Sequence, residues 1–510
     1  MNRTTLSLLG AVTALAAVTG FAAIAAPDGG ATGGAKAASA GAAARLPVER
    51  SSLLCPAPSG SDLAETTYTA FTPKSDAKGG AKGGPAADAK DTKPGKAELV
   101  PSANSKNAKN AKKPTVALTE PGKPVTATAS GSESPALVGT ADGALAPGWA
   151  AQQTTKVSAG GSRGVLGVSC SAPDTEFWFP GVSTAEARQD YVHLTNPDDS
   201  AAVADVELYG PGGVLKSDAG EGITVPPHSS VPVLLSTLSS TRVPDGTVHV
   251  TTRAGRVGAA VQAMEDKAGS DWLTAAADPS GSVVLPGIPA DATSVRLVVF
   301  ATGDNDADLR VKLAGANGSL VPAGAEALHV KSRMTGSIDL RDVTKGEAGA
   351  LVLSPTPGSR GAPVVAAVRI VRGMKDKQEV AYVPATAPVG ARSTATDNRA
   401  QGSVLSLTAP GAAGEVRVTA SAGSGGGEPV VKTYKVKAGT TVSVAAPVPP
   451  GLKGSYALTA ESVSGGPVHA ARMLQLPEDG IPMFTIQTMP DDKGTVVVPR
   501  AQNDLSVLDD

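Results

Sequence analysis

Gly160-Gly161-Ser162-Arg163-Gly164 has the G-x-S-x-G spacing of a nucleophile elbow. That elbow holds a serine exposed on a sharp turn between a strand and a helix. Here the following Val165-Leu166-Gly167-Val168-Ser169-Cys170 reads as another strand, and a chain with 59 glycines makes chance matches easy. Ser162 is therefore read as a turn residue. Asp304-x-Asp306-x-Asp308 gathers three carboxylates in one loop, as calcium sites do. No Gly stands at the sixth position of a calcium loop and no Glu closes the twelfth. A solvated turn is the simpler reading, and Asp304, Asp306 and Asp308 are a weak calcium candidate. The five histidines, His193, His228, His249, His329 and His469, show neither H-x-x-x-H nor H-x-H spacing, so a zinc site would need long-range assembly. Trp149, Trp178 and Trp272 are the only tryptophans. Exposed rings at a domain edge would stack on sugars. Trp178 lies in a strand pattern and is assigned to a core or seam. Trp272 follows Asp271 just before the next repeat, marks a junction, and is the candidate ligand contact. These residues imply no catalytic set and no cofactor.

The elements that would position such groups follow from composition. The chain has 510 residues, room for two to four ordinary domains. It carries 59 Gly and 40 Pro but only 3% aromatic residues. That mixture argues against one large enzyme core and for small, turn-rich β domains with a disordered stretch. A net charge of −2 gives no electrostatic basis for nucleic-acid binding.

Met1-Asn2-Arg3 precedes an uncharged apolar run from Leu6 to Ala26. A basic start followed by such a run is an export signal. Ala23-Ile24-Ala25 offers small residues where a signal peptidase inspects, and the mature chain would then open on Ala26-Pro27-Asp28. The run also has the length to span a bilayer, so a signal anchor is the alternative, and membrane contact depends on the segment staying uncleaved. In an oxidising compartment the two cysteines, Cys55 and Cys170, pair as one disulfide. Between Pro73 and Pro135 eleven lysines face six acids, among Ala, Gly, Pro, Ser and Asn. Such a segment cannot bury enough apolar area to offset about 1–2 kcal/mol per residue of backbone ordering, so it is expected to be a disordered insert.

The most informative feature is a repeat of about 105 residues. Phe177-Trp178-Phe179-Pro180-Gly181 aligns with Val283-Val284-Leu285-Pro286-Gly287, and a weaker third copy is Ala381-Tyr382-Val383-Pro384. Val206-x-Leu208-x-Gly210 aligns with Val311-x-Leu313-x-Gly315. Gly246-x-Val248-x-Val250 aligns with Gly349-x-Leu351-x-Leu353 and Gly454-x-Tyr456-x-Leu458. Val257-x-Ala259-Ala260 recurs as Val364-x-Ala366-Ala367 and Val468-x-Ala470-Ala471. Each landmark alternates with period two and is bounded by turn signals, the pattern of short strands with one buried face. The expected fold is all-β, with tandem antiparallel sandwiches of immunoglobulin-like architecture. The expected organisation has a signal peptide or anchor at 1–26 and a partial β region at 45–170 interrupted by the insert at 73–135. Sandwich repeats follow at 175–279, 280–379 and 380–493, with a final strand and tail at 494–510.

The export signal, Leu54-Cys55-Pro56-Ala57-Pro58, Ser169-Cys170 and Phe177-Trp178-Phe179-Pro180-Gly181 together give a chain that resembles secreted proteins of high-GC actinobacteria. These are of the Streptomyces type and form a family with a domain of unknown function. The resemblance implies an envelope location and transfers no active-site residue. The expected function is a non-catalytic exported scaffold, rod-like spacer or binding module. It would work in the cell envelope or outside the cell, with an envelope polymer or membrane-associated protein as partner. The alternatives are a glycan-processing enzyme or accessory with an inter-domain site, and a carbohydrate-binding protein.

Overall fold

Period-two alternation puts every second side chain on the same face of a strand, and Ala202–Gly210 obeys it. Ala202, Ala204, Val206 and Leu208 are buried in a core, while Asp205 and Glu207 between them are not. The same holds for Ala307–Ala314 and Gly414–Ala420. The computed structural model describes residues 44–74, 95–102, 113–217 and 219–498. Among them the protein is all-β, with two single-turn 3-10 segments, Gly143–Leu145 and Leu235–Thr237. Residues 1–26, read above as an export signal or anchor, lie outside the described residues, as do seven of the eleven lysines counted above.

Four sandwiches share one connectivity. In each, one antiparallel sheet has the order first–sixth–third–fourth strand, and the other has the order fifth–second–seventh–eighth. Two of them add a short strand, Ile223–Val225 or Leu328–Val330, beside the third. The first sandwich runs from Arg50–Cys55 to Gly164–Ser169, and the second from Glu176–Val182 to Gly269–Leu273. The third runs from Val283–Ile288 to Lys377–Pro384, and the fourth from Arg392–Asn398 to Phe484–Thr488. A further strand, Thr495–Val498, follows Gly494, whose carbonyl accepts a hydrogen bond from Val48 N–H at 3.1 Å.

Three expectations are corrected. The N-terminal region is a complete sandwich, because strands Ala97–Pro101, Val116–Leu118 and Val125–Ser130 lie inside the span 73–135 read as a disordered insert. Ala97, Leu99, Val116 and Leu118 reach its core, so a few small apolar residues suffice where a paired sheet already exists. The boundary at 379/380 cuts the strand Lys377–Pro384, which ends the third sandwich rather than beginning the fourth. An apolar run ending in Pro suits a first or a last strand equally, and periodicity does not separate them.

The third correction concerns the rod. The seventh strands of the second, third and fourth sandwiches carry buried apolar residues on both faces, since each lies between two sandwiches. In Val364–Met374, Val364, Ala366 and Val368 join the core of the third sandwich, while Ala367 and Val371 join that of the second. In His469–Gln475, Ala470 faces the fourth core, and Ala471 and Met473 face the third. Ala260 and Trp272 of the second pack on Ala64, Leu166 and Val168 of the first. The first strand of each sandwich rests on the seventh strand of the next, and that of the fourth rests on Ala150–Val157 of the first. The Pro-Gly step serves this seating. Gly287 has φ +89° at a bulge in the first strand of the third sandwich, and a Cβ there would stand 2.8 Å from the Cβ of Ala471. The four sandwiches thus close into a ring.

Candidate functional site at the meeting of four edge strands

The residues singled out by spacing do not converge. Asp308 lies directly across from His329 in the strand pairing. The imidazole takes both neighbouring carboxylates, Nδ1 to Asp308 Oδ1 at 2.8 Å and Nε2 to Asp306 Oδ2 at 3.5 Å. Among the described residues no three His, Cys, Asp or Glu groups are placed to hold a metal ion, so Asp304, Asp306 and Asp308 do not form the calcium site their spacing suggested. Ser162 sits in the turn between strands Ala150–Val157 and Gly164–Ser169, a hairpin with no helix after it. Cys55 and Cys170 are bonded, with Cα atoms 4.5 Å apart. Such a bond suggests an extracytoplasmic environment, and no helix of the described residues is long and apolar enough to cross a membrane.

Trp149 and Trp272 are buried, and Trp178 is half-buried. Trp149 belongs to the core of the first sandwich. Trp178 stacks on His249 with centroids 3.6 Å apart, and Phe300 of the third sandwich stacks on it at 5.3 Å. Trp272 does lie at a junction, but at 1% exposure it is not an open platform, which corrects its reading as a ligand contact on the surface. The seventh strand on one side and the first sandwich on the other enclose it.

What the fold does bring together is the last strand of every sandwich. Gly164–Ser169 touches Gly269–Leu273 and Phe484–Thr488, and Lys377–Pro384 touches the same two strands. Register makes Gly167, Trp272, Tyr382 and Ile486 equivalent positions. The first is glycine for a steric reason: a Cβ there would lie 2.1 Å from Gln487 Nε2 of the fourth sandwich.

Two buried carboxylates hold this centre. Asp271 Oδ1 accepts the Gly167 N–H at 2.9 Å from the first sandwich and the Thr485 hydroxyl at 3.0 Å from the fourth. Glu379 of the third accepts the Val165 N–H at 3.0 Å and Arg163 Nη1 at 3.1 Å. Arg163 also donates to the carbonyls of Gln378 and Lys267, so one guanidinium ties three sandwiches. Burial raises the Asp271 carboxyl well above the usual carboxylate range, against the pull of its donors. Burial likewise pushes Glu379 from 4.5 to about 8, with Arg163 and the Val165 N–H opposing.

A pH dependence follows, with a definite sign. Below about pH 4.5 Glu379 is protonated in the folded and the unfolded chain alike; between about 4.5 and 8 only the unfolded chain has lost the proton. Its contribution to stability is therefore fullest below about 4.5 and is lost as pH rises towards 8. Urea unfolding at pH 5 and pH 8 is expected to show a shallower pH slope for Glu379→Gln than for the unaltered chain. Equal slopes would remove Glu379 as the titrating group.

The ring closes on a polar contact. At the position where later sandwiches carry Ala260, Ala367 and Ala471, the first carries Gln152. Its Oε1 accepts the N–H groups of Thr396 and Asp397 at 2.9 and 3.0 Å, and Nη2 of the buried Arg472 at 2.8 Å. Thr396 Oγ1 donates to the Thr69 carbonyl at 2.9 Å. None of Asp271, Glu379 and Gln152 was found by spacing. The one available signal was a charged residue inside the otherwise apolar run Asp271-Trp272-Leu273.

A family model described as a family of unknown function, DUF5719, matches residues 125–447. The match takes in the second and third sandwiches whole and includes Cys170 but not Cys55. No curated protein matches the chain.

Proposed function

This chain belongs to the family of unknown function DUF5719, and from that premise we propose that it is an exported, non-catalytic scaffold or binding module of the cell envelope. Its source would be an actinobacterium of the Streptomyces type, its partner an envelope polymer or a membrane-associated protein. One observation carries this reading. The buried carboxyl groups Asp271 and Glu379 are sealed between sandwiches and bonded to backbone N–H groups, as is Gln152 at the closure. They hold modules to one another. An enzyme would need acid, base or nucleophile converging where substrate arrives. Export is supported by Met1-Asn2-Arg3 with the run Leu6–Ala26 and by the disulfide, a bond that persists in oxidising compartments.

The test is cell fractionation with intact-mass measurement before and after reduction. The expected result is a chain opening near Ala26, outside the cytoplasm, lighter by two protons when unreduced. A full-length chain in the membrane fraction would replace the signal peptide by an anchor. A cytoplasmic chain with two free thiols would overturn the extracytoplasmic reading.

A further inference from the structure

One hairpin of the third sandwich is tied to the fourth on both sides of its loop. The loop, Gly315–Gly318, joins the strands Ala307–Ala314 and Ser319–Leu320. Before it, the Ala314 carbonyl accepts the Thr441 hydroxyl at 2.7 Å and the Gly315 carbonyl accepts the Thr441 N–H at 2.9 Å. After it, the Ser319 hydroxyl donates to the Gly439 carbonyl at 2.7 Å. Between these anchors stands Asn317-Gly318, the one asparagine–glycine step in the chain. Both residues are exposed, and among the described residues neither the Asn317 amide nor the Gly318 N–H has a hydrogen-bond partner. A tight two-residue turn would hold both residues at positive φ. Here the loop has four residues and Asn317 stays outside the positive-φ region, so the turn does not lock the asparagine. A Cβ on Gly318 would meet nothing within 4 Å, so nothing crowds the glycine beside the amide.

We propose that Asn317 is a site of self-modification, where its side chain closes onto the Gly318 nitrogen and the product loosens the seam between the third and fourth sandwiches. The Gly318 nitrogen attacks the side-chain carbonyl carbon of Asn317. A carbon–nitrogen bond forms, the bond to the amide nitrogen breaks, and ammonia leaves with the proton from the Gly318 N–H. Water then opens the cyclic imide at either carbonyl. One opening leaves aspartate. The other leaves isoaspartate, in which the main chain runs through the side-chain carbon and is longer by that carbon. No atom is oxidised or reduced. Glycine favours the closure because it has no side chain to hinder its nitrogen. An unpaired N–H also gives up no hydrogen bond in reacting. The added carbon falls between the Gly315 and Ser319 anchors, whose spacing the fourth sandwich fixes, so bonds to Thr441 or Gly439 are lost. Either product adds a negative charge to the turn whose Ala316 N–H is already bound by Glu347, and like charges repel.

The experiment holds the folded full-length chain at pH 5 and at pH 8, for as long as the free peptide Leu313–Lys331 takes to convert by half, and maps tryptic fragments by mass. The expected result is a gain of about one mass unit in Leu313–Lys331, as oxygen replaces nitrogen in the side chain. Aspartate and isoaspartate should both form, at least about tenfold faster at pH 8, because the backbone nitrogen must lose its proton to attack. Asn305 is also exposed but precedes Asp306, and its fragment Leu297–Arg310 is expected to stay unchanged. In the converted chain the Thr441 amide is expected to exchange about tenfold faster, the effect of losing one hydrogen bond. Asn317→Gln keeps an amide but would need a larger ring, and should hold both its mass and the Thr441 protection. Aspartate without isoaspartate would mean direct hydrolysis of the side chain and overturns the cyclisation. An unchanged fragment at pH 8, or unchanged Thr441 exchange after conversion, overturns the proposal.

Discussion

Cys170→Ala is expected to destabilise the first sandwich by about 4.8 kcal/mol, the loop-entropy value for a closed segment of about 115 residues. The bond joins the end of Arg50–Cys55 in one sheet to the residue after Gly164–Ser169 in the other, so it closes a whole sandwich. Both cysteines are buried, at 0% and 7% exposure, and both belong to the core cluster with Leu53, Tyr68 and Trp149. Cys55→Ala is expected to lose the same amount. The double variant should lose little more than either single one, because the two share one interaction. Urea unfolding followed by hydrogen exchange of Ala64–Phe71 reads this sandwich in particular. A loss under about 1 kcal/mol would mean that the sheets alone constrain the chain. Ring closure depends on this sandwich, since Gln152 and Thr69 receive the fourth sandwich through Thr396.

The repeats were legible because alternation has one physical cause, a strand with one face in a core, and Val206, Leu208, Val311 and Leu313 obey it. The cysteine pairing was legible from residue number and compartment. The start of the fourth sandwich was not. Its first strand, Arg392–Asn398, buries Ser393, Thr396, Asp397 and Asn398, polar residues that hydropathy assigns to loops. Thr396, Asp397 and Asn398 find partners across the closure or within the sandwich, whereas the Ser393 hydroxyl has none. Thr396 and Asp397 donate to Gln152, while Asn398 Nδ2 donates to the carbonyls of Ala395 and Tyr456. The ring was not legible for a related reason. Doubly apolar strands such as Val364–Met374 announce that both faces are covered, but not by which neighbour. Trp272 was placed at a junction from its position; whether its ring was open or sealed depended on Leu166 and Val168, more than a hundred residues earlier.

That sealed ring makes Trp272→Ala the second large effect, an expected loss of about 3–5 kcal/mol. Trp272 is among the largest fully buried side chains, and it packs on Ala64, Val157, Leu166 and Val168 across the seam between the first and second sandwiches. His193 meets its ring edge-on at 5.1 Å. Its neighbours can close the gap only in part, because the site already borders a cavity of about 230 Å³, lined also by Leu54, Phe177 and Ile486, and lies between two sheets held by other contacts. The void would therefore enlarge rather than collapse, which places the cost towards the upper end of the range. The cost should be local. Amides of Gly164–Ser169 and Gly269–Leu273 are expected to exchange faster, while the core of the fourth sandwich, around Leu405 and Leu407, keeps its protection. Trp272→Phe, which keeps a ring at the seam, is expected to lose less. If the alanine variant unfolds all four sandwiches together, the ring is one cooperative unit. If protection is unchanged at Gly164–Ser169, the seam is held by Asp271 and Glu379 rather than by the indole.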